Sequence, residues 1–195
     1  MVNVVLDITM SLDGFIAGPH DEVKTPLHQW VFNGDVPSKY NSYFKLSKKS
    51  AKVFDELVKT TGSIITGHRT YDITNGWGGS HPVSDKVFVL SHNVPKDIPS
   101  GSTTFTFVTD GIESAVKQAK KAAGNKNVYL MGGANVVQQC IKAELVDEMM
   151  IHLVPVLLTN GIKLFDNLEN KQIDLEEKKI IKAPGVTHLK FRVVK

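Results

Sequence analysis

Three junctions in this sequence carry residues that could hold a phosphorylated ligand. Gly132-Gly133 follows the apolar run at 128–131 and precedes a helical stripe. A helix N-terminus there offers unpaired backbone donors and a partial positive charge, and glycine lets a phosphate come close to the chain. The same pair would serve a plain tight turn from strand to helix. Gly67-His68-Arg69-Thr70 adds a hydroxyl and a guanidinium to a second helix start. Guanidinium forks match phosphate oxygens, although an arginine there is equally at home as a solvated surface charge. Ser91-His92 ends a third apolar run and means little alone. All three junctions stand at the C-terminal ends of expected strands, the rim where open parallel sheets bind their ligands. A dinucleotide, with a pyrophosphate and an adenosine phosphate, needs a rim of this kind.

Other chemistries find no support. No G-x-G-x-x-G follows the first strand, and there is neither a P-loop nor a serine elbow. The 7 histidines are scattered without metal spacing, and His152 reads as a hydrogen-bonded residue of an apolar strand. Cys140 is the one cysteine, which excludes an internal disulfide; on an apolar helical stripe it reads as a buried hydrophobe. Charges of 23 basic against 20 acidic residues give a net +3, too mild to point to nucleic acid. Asp7 and Asp13 interrupt the first apolar stretch, which has no basic leader and does not read as a signal peptide. The longest apolar run, 149–158, is about half a membrane span and is broken by His152 and Pro155. The expectation is a soluble cytoplasmic protein with a small-molecule partner, no nucleic acid and no membrane.

The elements that must position the junctions follow from periodicity. Val4, Leu6, Ile8 and Met10 alternate with polar residues as in a strand, which ends at Asp13-Gly14. Residues 18–38 read as a long loop, and 38–60 as a helix with Ala51, Phe54, Leu57 and Val58 on one face. Short strands are expected at 63–66, 86–91, 105–107 and 128–131, the second apolar throughout as in a parallel sheet. Between them Asp110 and Glu113 form the pattern of a capping box, and Gly124 would close that helix. Val136, Val137, Cys140 and Ile141 trace the stripe of the next. After Asp147 only strands are expected, at 149–158, 173–181 and 187–193. With 42% apolar and 22% charged residues, a length of 195 suits a single α/β domain over 1–195. Its sheet would be mainly parallel with an antiparallel C-terminal edge, and helices would cover both faces.

Taken in order, these stretches resemble the dihydrofolate-reductase-like superfamily. The nearest branch is the reductase domain of the riboflavin-biosynthesis deaminase–reductase and its stand-alone relatives. The matching stretches are Ser11-Leu12-Asp13-Gly14-Phe15-Ile16-Ala17, 67–71, 86–91, 128–135, Leu145-Val146-Asp147-Glu148 and 155–165. The resemblance implies a three-layer dihydrofolate-reductase-like fold and an NADPH-dependent reductase. Ile16 and Ala17 would border the nicotinamide. Thr70 and the backbone of Gly132, Gly133, Ala134, Asn135 and Val136 would bind the pyrophosphate, with a cis Gly132–Gly133 peptide, and Gly67 would be a further cofactor-binding residue. His68, Arg69, Ser91 and His92 would surround the 2′-phosphate. Trp30 matches a tryptophan usually found on a lid beside the substrate, and a homodimer formed through terminal strands would be expected.

The departures concern the substrate. The arginine usual after the first glycine is His68, with Arg69 one place later. The position of the helical carboxylate of dihydrofolate reductases falls near Ala51; Asp55 is one turn on. Met131 stands where riboflavin-pathway reductases carry an acid before the glycine pair, and Tyr71-Asp72-Ile73-Thr74 replaces their Asp-Pro stretch. Two readings result. One is hydride transfer from NADPH to a pyrimidine-ribosylamine-like substrate, 5-amino-6-(5-phosphoribosylamino)uracil, or to a pterin-like ring, with water or Asp13 supplying the proton. The other is a non-catalytic NADP-binding module.

Overall fold

The computed structural model describes residues 2–19, 26–168 and 172–195, so residues 20–25 of the expected 18–38 loop lie outside it. The opening alternation forms β1 (Val4–Ser11), and the turn at Asp13-Gly14 leads into β2 (Phe15–Ala17). A 3-10 stretch, Pro26–Val31, and the two-residue strands β3 (Val36–Pro37) and β4 (Lys45–Leu46) precede α1 (Lys48–Thr60). The alternating part of the chain follows: β5 (Thr61–Gly67), α2 (His68–Ile73), β6 (Lys86–Leu90), β7 (Thr104–Val108), α3 (Ile112–Ala123), β8 (Asn127–Leu130) and α4 (Ala134–Lys142). The strand-rich tail comprises β9 (Glu148–Val154), β10 (Ile162–Lys163), β11 (Leu175–Ala183) and β12 (Val186–Val193).

Eight strands form one mixed sheet in the order β11-β12-β9-β1-β8-β5-β6-β7. Pairing is parallel from β1 through β8, β5 and β6 to β7, and antiparallel between β9, β12 and β11. The chain divides into two compact units, Met1–Leu6 with Thr60–Asp147, and Asp7–Lys59 with Glu148–Lys195. Among the described residues no helix is long and apolar enough to cross a membrane.

In the first unit the parallel strands read as continuous apolar runs because they are buried: Ile64, Val87, Val89, Val128 and Leu130 are fully enclosed. The stripe of α4 is buried as expected, and Gly124 closes α3 with φ 65°. The expected capping box does not form. Gly111 (φ 106°) is the residue before α3, and no side chain caps the helix, since the glycine bend leaves Asp110 exposed outside the first turn.

In the second unit α1 starts at Lys48 rather than near residue 38. Ser38 and Lys39 bond to Asp55 instead of continuing a helix, and β3 pairs with β4 in the intervening segment. The final alternation, β12, lies between β11 and β9, so the edge on the antiparallel side of the sheet is β11. That edge carries Glu176, Glu177, Lys178, Lys179 and Lys182 and a register irregularity between Glu177 and Lys179, features that discourage strand addition.

Candidate functional site

In the first unit, parallel register sets Ile65 beside Leu130, so the chain leaves β5 and β8 at the same level of the sheet. Two residues beyond each, Gly67 and Gly132 begin the turns into α2 and α4. Gly132 (φ 91°) and Gly133 (φ 81°) both occupy the left-handed region, which side chains disfavour. Every described peptide is trans, Gly132–Gly133 included, which corrects the expected cis bond; two left-handed glycines make the turn without it. A Cβ on Gly132 would stand 2.9 Å from Thr70 Cγ2 and 3.0 Å from Thr70 Oγ1. A Cβ on Gly133 would lie 3.7 Å from that hydroxyl and from Gly67. The two junctions therefore meet across bare glycine backbone.

The donors at this place have no other work. Val137 N–H returns to Gly133 O at 3.2 Å, which leaves the amides of Ala134, Asn135 and Val136 ahead of the first helical bond. The Thr70 hydroxyl has no hydrogen-bond partner among the described residues, whereas Thr74 Oγ1 donates to the Thr70 carbonyl at 2.9 Å. Thr66 Oγ1, one residue before Gly67, is buried without a partner. Sequence reading passed over Thr66 because it sits inside an apolar run. Asn135 is exposed, its side chain accepting from Gln139 at 2.6 Å.

The third junction joins the second through side chains. Ser91 Oγ donates to Asn93 O at 2.5 Å, so the 2.9 Å contact with His68 Nδ1 is a bond donated by the imidazole. His68 Nε2 faces Asp72 Oδ2 at 3.2 Å, a partner the sequence did not suggest. Arg69 and His92 are exposed beside this pair.

The remaining expected residues belong to the second unit. Ile16 and Ala17 are half-buried on β2, which pairs with β10. Asp13 accepts from Ser11 Oγ at 2.6 Å, Thr159 N at 2.7 Å and Leu158 N at 3.1 Å. The Ser11 hydroxyl above all, with those two amides, holds its carboxyl below the usual carboxylate range. A carboxylate so held is a turn clamp and a poor proton source at neutral pH. Asp55 Oδ1 is occupied by Ser38 Oγ (2.8 Å) and Lys39 N (3.1 Å). Trp30 donates Nε1–H to Thr9 Oγ1 at 3.2 Å and lies against two imidazoles, His152 at 4.7 Å and His188 at 5.1 Å between ring centres.

Those imidazoles belong to a buried polar row. His152 Nε2 lies 3.2 Å from Asp7 Oδ1, His152 Nδ1 is 2.7 Å from His188 Nδ1, and His188 Nε2 is 3.0 Å from Ser50 Oγ. Ser47 Oγ donates to Ser50 Oγ at 3.1 Å. A carboxylate only accepts, so each proton position follows from the one before. His152 donates to Asp7, His188 donates to His152, and Ser50 donates to His188. Burial first, then the neighbouring His152, pushes the His188 imidazole down to about 3, so that ring stays neutral and keeps its single proton in this row.

The pattern of the family described as the RibD C-terminal domain matches residues 2–189, nearly the whole chain. This chain belongs to that family. This RibD C-terminal domain is 27% identical over 169 residues to the uncharacterized protein YwjB of Bacillus subtilis, covering 86% of this chain and 84% of that protein. Among solved structures it is similar to a putative riboflavin biosynthesis protein from Shewanella sp. PV-4, with a TM-score of 0.74 and 24% identity over 100% of both chains. It is also similar to the riboflavin biosynthesis reductase Rib7 of Saccharomyces cerevisiae, with a TM-score of 0.62 and 14% identity over 99% of this chain and 90% of that one. These likenesses establish the dihydrofolate-reductase-like fold for the RibD C-terminal domain: the eight-stranded, mostly parallel sheet with an antiparallel edge.

Proposed function

We propose that this RibD C-terminal domain is an NADPH-dependent reductase of the riboflavin-biosynthesis and dihydrofolate-reductase type. Its acceptor would be pyrimidine-ribosylamine-like, such as 5-amino-6-(5-phosphoribosylamino)uracil, or pterin-like. The observation that carries this reading is the unpartnered Thr70 hydroxyl facing two left-handed glycines at the start of α4. A diphosphate suits such a cradle, with the Thr70 hydroxyl and the α4 amides as donors. His68, Arg69, Ser91 and His92 supply imidazole, guanidinium and hydroxyl groups for a 2′-phosphate, and Ile16 and Ala17 would border the nicotinamide. When bound, NADPH supplies the hydride; the chain's own part is to bind, orient and exclude water. NADPH fluorescence titration of the purified protein tests the binding claim, and no affinity would refute it. Loss of reduced-nicotinamide absorbance with these acceptors then separates a reductase from a non-catalytic NADP-binding module.

Asp13 is expected to act as a clamp and not as the acid. Asp13→Asn should leave kcat nearly unchanged while amide hydrogen exchange at Leu158 and Thr159 speeds up, because two of the carboxylate's three donors are those amides. A general acid would instead account for about a hundredfold or more of kcat. A drop of that size in Asp13→Asn would return the acid role to Asp13.

A further inference from the structure

The polar row against Trp30 contains none of the residues to which cofactor binding is proposed. Ser50, His152 and His188 are 0%, 3% and 1% exposed, and the Asp7 side chain is 10% exposed. An apolar filling of the same volume would need none of the pairing that such groups demand. What the row achieves is a carboxylate fixed in orientation. Asp7 Oδ1 is engaged by His152, while Oδ2 has no partner among the described residues. Oδ2 is therefore an acceptor held in place beside His152, whose ring the Trp30 indole packs against. Its complement is a flat, apolar-faced ligand bearing an N–H donor, because a charged acceptor left unpaired in partly buried surroundings is costly.

We propose that Asp7 determines specificity for the acceptor molecule, with Oδ2 accepting a hydrogen bond from an N–H of its heterocycle. His152, His188 and Ser50 act as positioning residues. They hold the carboxylate plane through a chain in which every donor points toward Asp7. This assignment rests on the reductase reading for the identity of the ligand as an acceptor, but its geometry lies wholly within the second unit.

The test uses the full-length protein and two probes of one ring: 5,6-diaminouracil, rich in N–H groups, and tetramethyluracil, which has none. Calorimetric titration should show the diamino probe binding about tenfold or more tightly. Asp7→Asn should bring the two affinities to within about threefold while NADPH affinity stays unchanged. With a turned-over acceptor, Asp7→Asn should raise KM more than it lowers kcat. His152→Leu should reproduce part of that KM increase and His152→Gln, which restores a donor, should reverse it. Should Asp7→Asn fail to fold, the His152 pair carries the same comparison. Equal affinity of the probes for the wild type, no binding of either, or an undiminished preference in Asp7→Asn overturns the proposal. Failure of the NADPH titration alone would sink the reductase reading and leave the probe preference standing.

Discussion

Gly133→Val is expected to abolish NADPH binding in a chain that still folds. At φ 81° a β-branched residue is strained by roughly 1–3 kcal/mol. The added Cβ itself meets Thr70 Oγ1 and Gly67 only at 3.7 Å, an ordinary contact distance, so the turn need not break. The two γ-methyls then extend among the Thr70 hydroxyl, Gly67 and the first amides of α4, where the diphosphate would sit. Losing several charge-assisted bonds at once should raise the dissociation constant by more than about a hundredfold. Gly124→Ala supplies the control. It imposes comparable left-handed strain (φ 65°) at the end of α3, with nothing within 4 Å of the new Cβ. That variant should melt earlier and bind NADPH as the wild type does. If Gly133→Val binds equally well in a fluorescence titration, the phosphate is not held at this turn.

Parts of this site were legible because they depend on neighbours in sequence. The glycine pair, the buried stripe of Val136, Val137, Cys140 and Ile141, and the apolar strands leading to each junction all follow from local pattern. The false helix over 38–47 shows the limit. Its early residues are drawn away by Asp55, which accepts from Ser38 and Lys39 across a separation that periodicity does not register. The capping box at Asp110 failed for a related reason, since Gly111 bends the chain before the helix begins. The polar row was out of reach altogether. His152 and His188 become cross-strand partners only through the β9–β12 register, and β1 brings Asp7 alongside because it adjoins β9 in the sheet. Residues 7, 50, 152 and 188 share no spacing. Read singly, His152 could only be a satisfied histidine of an apolar strand, which it is; its connection to Asp7 is what the register added.

Trp30→Ala should destabilise the protein by about 3 kcal/mol, the lower part of the range for removing a large aromatic, because the indole is only half-buried. The indole packs on the cluster of Leu27, Val154 and Val186 and lies against both imidazoles. Its loss should also depend on pH in a direction that simple packing would not give. In the folded wild type His188 is held at about 3, against 6.5 ordinarily, so the unfolded chain gains a proton there that the native one refuses. Stability from this group is complete above about pH 6.5 and is lost as pH falls toward 3. Removing Trp30 admits water to the imidazoles, relieves the burial that depresses His188, and shortens that window. The variant should therefore trail the wild type by more at pH 7.5 than at pH 4.5 when both are unfolded in urea. An equal deficit at the two pH values would mean that Trp30 contributes packing alone and does not shield the histidine row from solvent.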